Sequence, residues 1–354
     1  MTTFWKNKRV LLTGHTGFKG TWMSLMLARM GAKVCGYSLP LDKNSFFSRV
    51  APDIYEHHEG DVVDLQSLEK VFSSFHPEIV LHFASHSSLK DSLTLPHYIL
   101  RTNIMGVINV LELIRHYGDV KAVVIVTSDK CYLDRGIGEA YKEDAPLGGK
   151  DPYSTSKVCQ ELLSMCYAET FFQNIERMVG IATARASNVI GNGDDNQTRL
   201  FPYILNCYTK GELPKIRHAT SLRAWQYVLD VLNGYLLLAE RLFVSAGKTK
   251  QYNGAYNFGP DKKGFCTVGE LTKLLGAQFG MADYETVETG DHIKKEAEIL
   301  RLDSAKARSI LQWVSKVTLS DAINIMADFA VREKKGERPK KLADEQVEFF
   351  LTGL

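Results

Sequence analysis

Short apolar runs rich in β-branched residues alternate with longer segments of helical period through the first half of the chain, the pattern of a parallel sheet covered on both faces. The runs predict strands at Arg9 to Thr13, Lys33 to Tyr37, Tyr55 to Glu59, Ile79 to Ala84, Ala122 to Ser128 and Ile181 to Ala186. Helices fit between them at Lys19 to Met30, Leu65 to Phe75, His97 to Tyr117 and Tyr153 to Phe172. The fold class is α/β, a doubly wound parallel sheet of the Rossmann kind. After Gly191 the alternation gives way to a polar loop and a helix around Leu200 to Thr209. A strand and a long amphipathic helix return over Ala224 to Phe243, and Ala255 to Phe258 reads as another strand. Helical patterns at Val268 to Phe279, Ser304 to Leu311 and Leu319 to Ala330 predict a smaller mixed α/β C-terminal lobe. The expected division is 1–190 with about 224–258 in the larger domain, about 191–223 and 259–340 in the smaller, and 341–354 as a tail. The charged stretch Arg332 to Lys341 reads as a solvated linker before a loosely docked helix at Ala343 to Leu351.

Composition removes several classes of function. With 354 residues, 45% of them hydrophobic, the chain can bury a substantial core. Its formal charge is +2 and its basic residues are scattered, so no nucleic-acid partner is expected, while a small anionic ligand is compatible. No apolar run approaches the roughly 20 residues of a membrane span, and the start of the chain leaves no room for a signal peptide before Arg9. Cys35, Cys131, Cys159, Cys166, Cys207 and Cys266 form no CxxC pair and no Cys/His ligand spacing, so neither disulfides nor a metal are expected and a reducing cytoplasm is the natural setting.

Two groups of residues carry candidate chemistry. Gly14, Gly17 and Gly20 follow the first strand and open the first helix. There the backbone must turn tightly and approach a pyrophosphate more closely than a Cβ permits, with N–H groups and the positive end of the helix dipole facing it. Three such glycines also suit a plain tight turn; their place after a Val-Leu-Leu run favours a dinucleotide. The acid expected at the end of the second strand is missing, since the segment reads Gly36-Tyr37-Ser38, and Asp42 stands further on. NAD and NADP are therefore not separated by this position. Asp61 and Val62, after the third strand, suit an adenine, although Asp61 is equally suited to cap a helix.

Tyr153 and Lys157 lie four apart at the start of a predicted helix and project from one face. A phenol of pKa about 10 needs a cation to become a base near neutrality, and a lysine one turn on can supply it. The spacing alone is also common on structural helices. The strand before it ends in Thr127-Ser128-Asp129-Lys130, polar groups delivered to the carboxyl end of a central strand, where ligands of open α/β sheets bind. A surface turn would accept the same residues.

Gly-His-Thr-Gly-Phe-Lys-Gly at 14–20, Thr-Ser-Asp-Lys-Cys-Tyr at 127–132, Asp-Pro-Tyr-Ser-Thr-Ser-Lys at 151–157, the run from Arg185 to Asp194 and Tyr256 to Pro260 together resemble the nucleotide-sugar dehydratases and epimerases of the extended short-chain dehydrogenase/reductase family. The likeness runs from about Phe4 to Phe329, and the Ser-Asp-Lys triplet points to the 4,6-dehydratase branch acting on CDP-glucose. It implies NAD, held by Gly14, Gly17, Phe18, Lys19 and Gly20, by Asp61 and Val62, by Ala84, and by Tyr153 and Lys157. It further implies Tyr153 as the base at the sugar O4, Lys157 as holder of the nicotinamide ribose, Asp129 and Lys130 as acid and base of the elimination, and Ser128 as a hydrogen-bond partner near O4. Lys130 can be that base only as a neutral amine, which requires burial. Asn188, Arg199 and Arg223 match positions that touch the diphosphate or nucleotide, and the resemblance implies a homodimer through the helices at His97 to Tyr117 and Tyr153 to Phe172. Departures at Ala84-Ser-His86-Ser-Ser-Leu89 and at His218 to Trp225 bear on substrate choice, His86 being either a substrate contact or an ordinary loop histidine. Asn188 is equally suited to bracing a loop, and Arg199 to being a surface charge. A 4-epimerase, which needs no elimination pair, and a dinucleotide-binding scaffold without catalysis stand as alternatives.

Overall fold

The computed structural model describes residues 3–352 apart from 135, 137–138, 174–177, 262–263 and 288–300. Part of the expected smaller domain, at 288–300, thus lies outside the described residues. Strands β1 (Arg9–Thr13), β2 (Lys33–Ser38), β3 (Glu56–Glu59), β4 (Ile79–His82), β5 (Ala122–Val126) and β6 (Gly180–Ala186) match the predicted runs closely. With a later strand, Gly254–Phe258, they form one seven-stranded sheet in which every pairing is parallel. From the edge that this strand occupies, the order is β6, β5, β4, β1, β2, β3, so the direction of winding reverses between β1 and β4. The crevice beyond their carboxyl ends is where an open α/β sheet binds ligands.

Helices α1 (Phe18–Arg29), α2 (Leu65–Phe75), α3 (Pro96–His116) and α4 (Pro152–Thr170) lie within a residue or two of their predicted spans. Two starts are fixed by side chains: Asp64 accepts from the Ser67 N–H at 3.1 Å and Asp151 from the Ser154 N–H at 2.9 Å. Because the central strands β1, β4 and β5 are buried on both faces, a core forms on each side of the sheet. One gathers Val10, Leu12, Trp22 and Met26; the other gathers Leu11, Val80, Val110 and Phe72.

Two strands stop short of prediction. β4 ends at His82 rather than Ala84 and β5 at Val126 rather than Ser128, because the following residues leave the ladder for the crevice. Past the reversal, β7 (Asn188–Ile190), β8 (Leu222–Tyr227) and the strand Phe265–Thr267 make a second, three-stranded sheet. Residues 224–258 are therefore shared: β8 belongs to the small sheet, whereas Gly254–Phe258 closes the large one. Helices α5 (Leu200–Lys210), α6 (Val228–Ser245), α7 (Val268–Ala277) and α8 (Leu319–Lys334) follow the predicted periodicity.

The end of the chain departs from expectation. α8 runs on to Lys334, and α9 (Pro339–Thr352) is firmly packed, with Leu342, Ala343, Val347 and Phe350 buried in the first core. Their spacing of one, four and three is an apolar helix stripe, so the charges around it are only its outer face.

Candidate active site

The glycines of the first turn have three different tasks. Gly14 has φ +72°, and a Cβ there would stand 2.7 Å from the Ala84 backbone nitrogen, so β1 and β4 leave the sheet in contact. A Cβ on Gly20 would stand 2.1 Å from the Gly14 oxygen, so this residue lets α1 pack on the turn. Gly17 is different: it is exposed, and a Cβ would meet only the Gly14 oxygen at 3.4 Å. No contact among the described residues requires that glycine. Gly17 is also the N-cap of α1 and supplies no side-chain cap, which leaves the N–H groups of a twelve-residue helix directed outward. This cradle fits the pyrophosphate of a dinucleotide. Phe18 packs from the first turn of α1 against Gly191 and the first core.

The adenosine end is more particular. Ser38 stands where the acid is missing; its hydroxyl is 3.0 Å from His15 Nδ1 and accepts from the Thr16 N–H at 3.4 Å. His15 Nε2 is 2.7 Å from His57 Nδ1, and the His15 ring fills the space over Gly36, where a Cβ would stand 2.3 Å away. Burial, and secondarily His57, push His15 down to about 3. Asp42 caps its own loop by accepting from the Asn44 N–H at 2.9 Å. Asp61 accepts from the Val63 N–H at 3.2 Å, whereas the helix cap is Asp64. Val62 is buried against Gly106 of α3 rather than presented on a surface.

Tyr153 and Lys157 are both buried on the inner face of α4. Lys157 Nζ donates to Ser85 Oγ at 2.7 Å, Gln160 Oε1 at 2.9 Å and the Val126 carbonyl at 3.3 Å, and lies 5.9 Å from the Tyr153 ring centre. Burial pushes Lys157 down to about 7, with Lys19 adding to the fall and Glu161 and Cys131 opposing it. Burial pushes Tyr153 up to about 12, and the largest force in the other direction is a hydrogen bond with Ser128. The sequence reading assigns that lowering to Lys157; here the largest lowering comes from Ser128, while the ammonium hydrogen-bonds to three other acceptors. Ser128 Oγ also donates to Asp129 Oδ1 at 2.9 Å.

Asp129 is buried, while 37% of the Lys130 side chain is open, its Nζ 3.4 Å from Asp129 Oδ2. The burial expected of Lys130 is therefore not present. Lys19 turns inward from α1 toward Asp129, Asp194 and Arg199, its Nζ 6.0 Å from the Tyr235 ring centre; burial, and then Arg199, push it down to about 8. Arg199 pairs with Asp194 at 2.8 Å and donates to Ser87 Oγ at 2.5 Å.

The loop after β4 thus ties the site together. The Ala84 N–H donates to Thr13 Oγ1 at 3.2 Å, Ser85 holds Lys157, and Ser87 holds Arg199. His86, between them, is fixed through its backbone by Asn103 of α3 and stands edge-on to Tyr98 at 5.7 Å. Its Nδ1 is buried without a hydrogen-bond partner. Asn188 donates to the Ala224 carbonyl at 3.1 Å and so braces β7 on β8. Arg223 lies on β8 opposite Cys266, on the small sheet. Ser85, Gln160 and Asp194 were not singled out from the sequence; only the third, in the Gly-rich loop after Ile190, carried a signal, as an acid near Arg199.

Among the described residues one group has metal-ligand chemistry, Cys35, Glu56 and His58 on β2 and β3. The Cys35 thiol is buried in the second core and raised by burial and by Glu56, and His58 is already paired with Glu56 at 3.0 Å.

A doubly wound sheet with an open glycine cradle at its reversal point and a buried Tyr/Lys pair across from it defines an extended short-chain dehydrogenase/reductase. The sequence profile of the GDP-mannose 4,6 dehydratase family matches residues 11–326, and the chain belongs to that family. It is 39% identical over 325 residues to the CDP-glucose 4,6-dehydratase of Salmonella typhimurium, covering 90% of this chain and 89% of that one. In fold it resembles the UDP-glucose 4-epimerase of Thermotoga maritima, solved with UDP-glucose, at a TM-score of 0.79 and 24% identity over 92% of this chain and 99% of the other. It also resembles the dTDP-glucose 4,6-dehydratase of Bacillus anthracis, solved with NAD, at 0.75 and 20% identity over 94% and 99%.

Proposed function

We propose that the protein is an NAD-dependent nucleotide-sugar 4,6-dehydratase that converts CDP-D-glucose to the CDP-4-keto-6-deoxyhexose. The observation that carries this reading is the joining of Tyr153, through Ser128, to the acid Asp129 and its partner Lys130. A 4-epimerase needs the tyrosine but has no use for the second pair. The 39% identity to a CDP-glucose enzyme supports the choice of nucleotide.

NAD, bound along the glycine cradle, would supply reversible hydride acceptance, leaving no net redox change. Tyr153 takes the proton from the sugar O4, and Ser128 keeps the phenol oriented for it. Lys157, buried beside Tyr153, anchors the nicotinamide ribose and favours the phenolate. Oxidation at C4 acidifies the C5 proton. Lys130 receives that proton and Asp129, buried and able to donate when protonated, delivers one to the departing C6 hydroxyl. Lys130 is open to solvent before substrate arrives, so the sugar itself supplies the cover that makes the amine a base. Arg199 and Lys19, with Arg223 and Asn188 further out, are cationic and polar partners for the diphosphate and nucleotide, and His86 stands by the hexose.

The stripe of exposed Leu93, Leu95, Met105, Leu162 and Met165 around α3 and α4 supports a homodimer through these helices. No described helix is long and apolar enough to cross a membrane, and unpaired cysteines are in keeping with work in the cytoplasm. The reading is tested by mass spectrometry of reactions with CDP-, dTDP-, GDP- and UDP-glucose in the presence of NAD. Loss of water from the CDP sugar is expected. Isomerisation without loss of water would make the protein an epimerase, the reading that the exposure of Lys130 favours; no turnover of any of them would leave a binding scaffold.

A further inference from the structure

Glu161 is a buried acid that the proposed chemistry does not use. It lies one turn beyond Lys157 on α4 and is 5% exposed. Thr127 Oγ1 donates to its Oε1. Its Oε2 accepts from Thr183 Oγ1 at 2.6 Å and from Arg185 Nη2 at 2.8 Å. Arg185, equally buried on β6, donates through Nη1 to the Tyr132 hydroxyl at 2.6 Å and to the Glu143 carbonyl at 3.0 Å. Tyr132 in turn donates to Asn257 Oδ1 at 2.8 Å. A continuous buried network thus runs from α4 across β5 and β6 to Tyr132, two residues beyond Lys130.

Lys157 and Glu161 engage consecutive residues of the strand end, Lys157 the carbonyl of Val126 and Glu161 the hydroxyl of Thr127. The hydrogen-bond acceptors of Lys157 are neutral, and Glu161, one turn on along the same helix and equally buried, is the carboxylate whose charge acts on it. A buried ion pair contributes little net stability, since desolvation offsets the attraction, and packing alone therefore gives a weak account of two charges in this place.

We propose that Glu161, clamped by Arg185, is a positioning residue that supplies the counter-charge for Lys157 and fixes the turn of Asp129 and Lys130 against the helix of Tyr153. The role deepens the dehydratase reading and rests on it for its catalytic meaning, though not for its electrostatics. The titratable groups facing Lys157 are Glu161 and Tyr153 on α4, Lys19 on α1, His82 on β4 and Cys131 after β5; Arg185 faces Glu161 from β6. Burial and Lys19 drive the ammonium toward loss of its proton, and Glu161 opposes them. Without Glu161, Lys157 should give up its proton at lower pH.

The test compares the wild type, Glu161→Gln and the double variant Glu161→Gln/Arg185→Gln, all without ligand. The Lys157 titration is followed by NMR of carbon-labelled lysines, assigned with Lys157→Arg, alongside thermal unfolding. Glu161→Gln strands the Arg185 charge and should lower the unfolding temperature; the double variant, neutral at both positions, should recover much of it. In both, the Lys157 midpoint should fall by roughly one pH unit or more. With CDP-glucose and NAD, kcat should fall with little change in KM, and its alkaline limb should move to lower pH. A double variant that recovered both stability and the wild-type Lys157 midpoint would reduce the pair to packing and overturn the proposal. A midpoint that moves as expected in a protein that turns over no nucleotide hexose would instead sink the dehydratase reading and leave the electrostatic role intact.

Discussion

The two pairs of catalytic candidates are built in opposite ways. Tyr153 and Lys157 are buried, and the ammonium has its hydrogen bonds filled by Ser85, Gln160 and Val126 before any ligand binds. Asp129 and Lys130 sit at a turn where the acid is buried and held by Ser128 Oγ at 2.9 Å, while the amine is open and, among the described residues, tied only by its 3.4 Å contact with that acid. The first pair is thus set in advance, whereas the second becomes complete when a sugar covers it. Oxidation and elimination should consequently respond differently to mutation.

The largest effect should come from Tyr153→Phe, which keeps the packing and removes the proton acceptor. C4 oxidation should fall by about 10²–10⁴-fold, the usual worth of a general base, with dinucleotide affinity unchanged by calorimetry. Turnover within tenfold of wild type would show that another group takes the O4 proton. Lys130→Ala should separate the two pairs: oxidation continues, water loss drops by about 10²-fold, and the absorbance of reduced nicotinamide persists. Normal product formation would merge the pairs again and leave Lys130 as a surface charge.

A third test uses pH. Lys157 is pushed down to about 7, and a lysine carries its charge below its pKa, so the rate of C4 oxidation should decline as pH rises through that value. An alkaline limb that is absent in wild type would remove the ammonium from the oxidation step. The smallest effect extends the comparison to the cofactor cradle. Gly17→Ala should weaken dinucleotide binding about tenfold, or about 1.4 kcal/mol, without lowering the unfolding temperature, because its Cβ would make only an ordinary 3.4 Å contact with the Gly14 oxygen. Gly20→Ala should destabilise the protein itself, since its Cβ would press on the Gly14 oxygen. Equal losses of stability would mean that both glycines serve packing.

The parallel sheet was legible because its central strands are apolar on both faces and its helices keep their period; no side chain of the crevice had to be understood to see it. The Tyr/Lys spacing and the three glycines were legible for the same reason, being local. What escaped was what depends on contacts distant in sequence. Ser85 reaches Lys157 across 72 residues and Ser87 reaches Arg199 across 112, and neither serine has a spacing that announces the bond. Burial of Lys130 was inferred from the chemistry it must perform, and the structure leaves it open. The final helix reads as loosely docked from its charges alone, whereas its Leu342, Ala343, Val347 and Phe350 stripe is what packs it.

That helix joins residues far apart in sequence. Glu348 on α9 pairs with Arg29 at the end of α1, 319 residues earlier, and Lys340 reaches the Ala51 carbonyl at 3.3 Å. The helix that follows the glycine turn is thus roofed by a segment 319 residues further along, so during synthesis its outer face stays uncovered until α9 has been made.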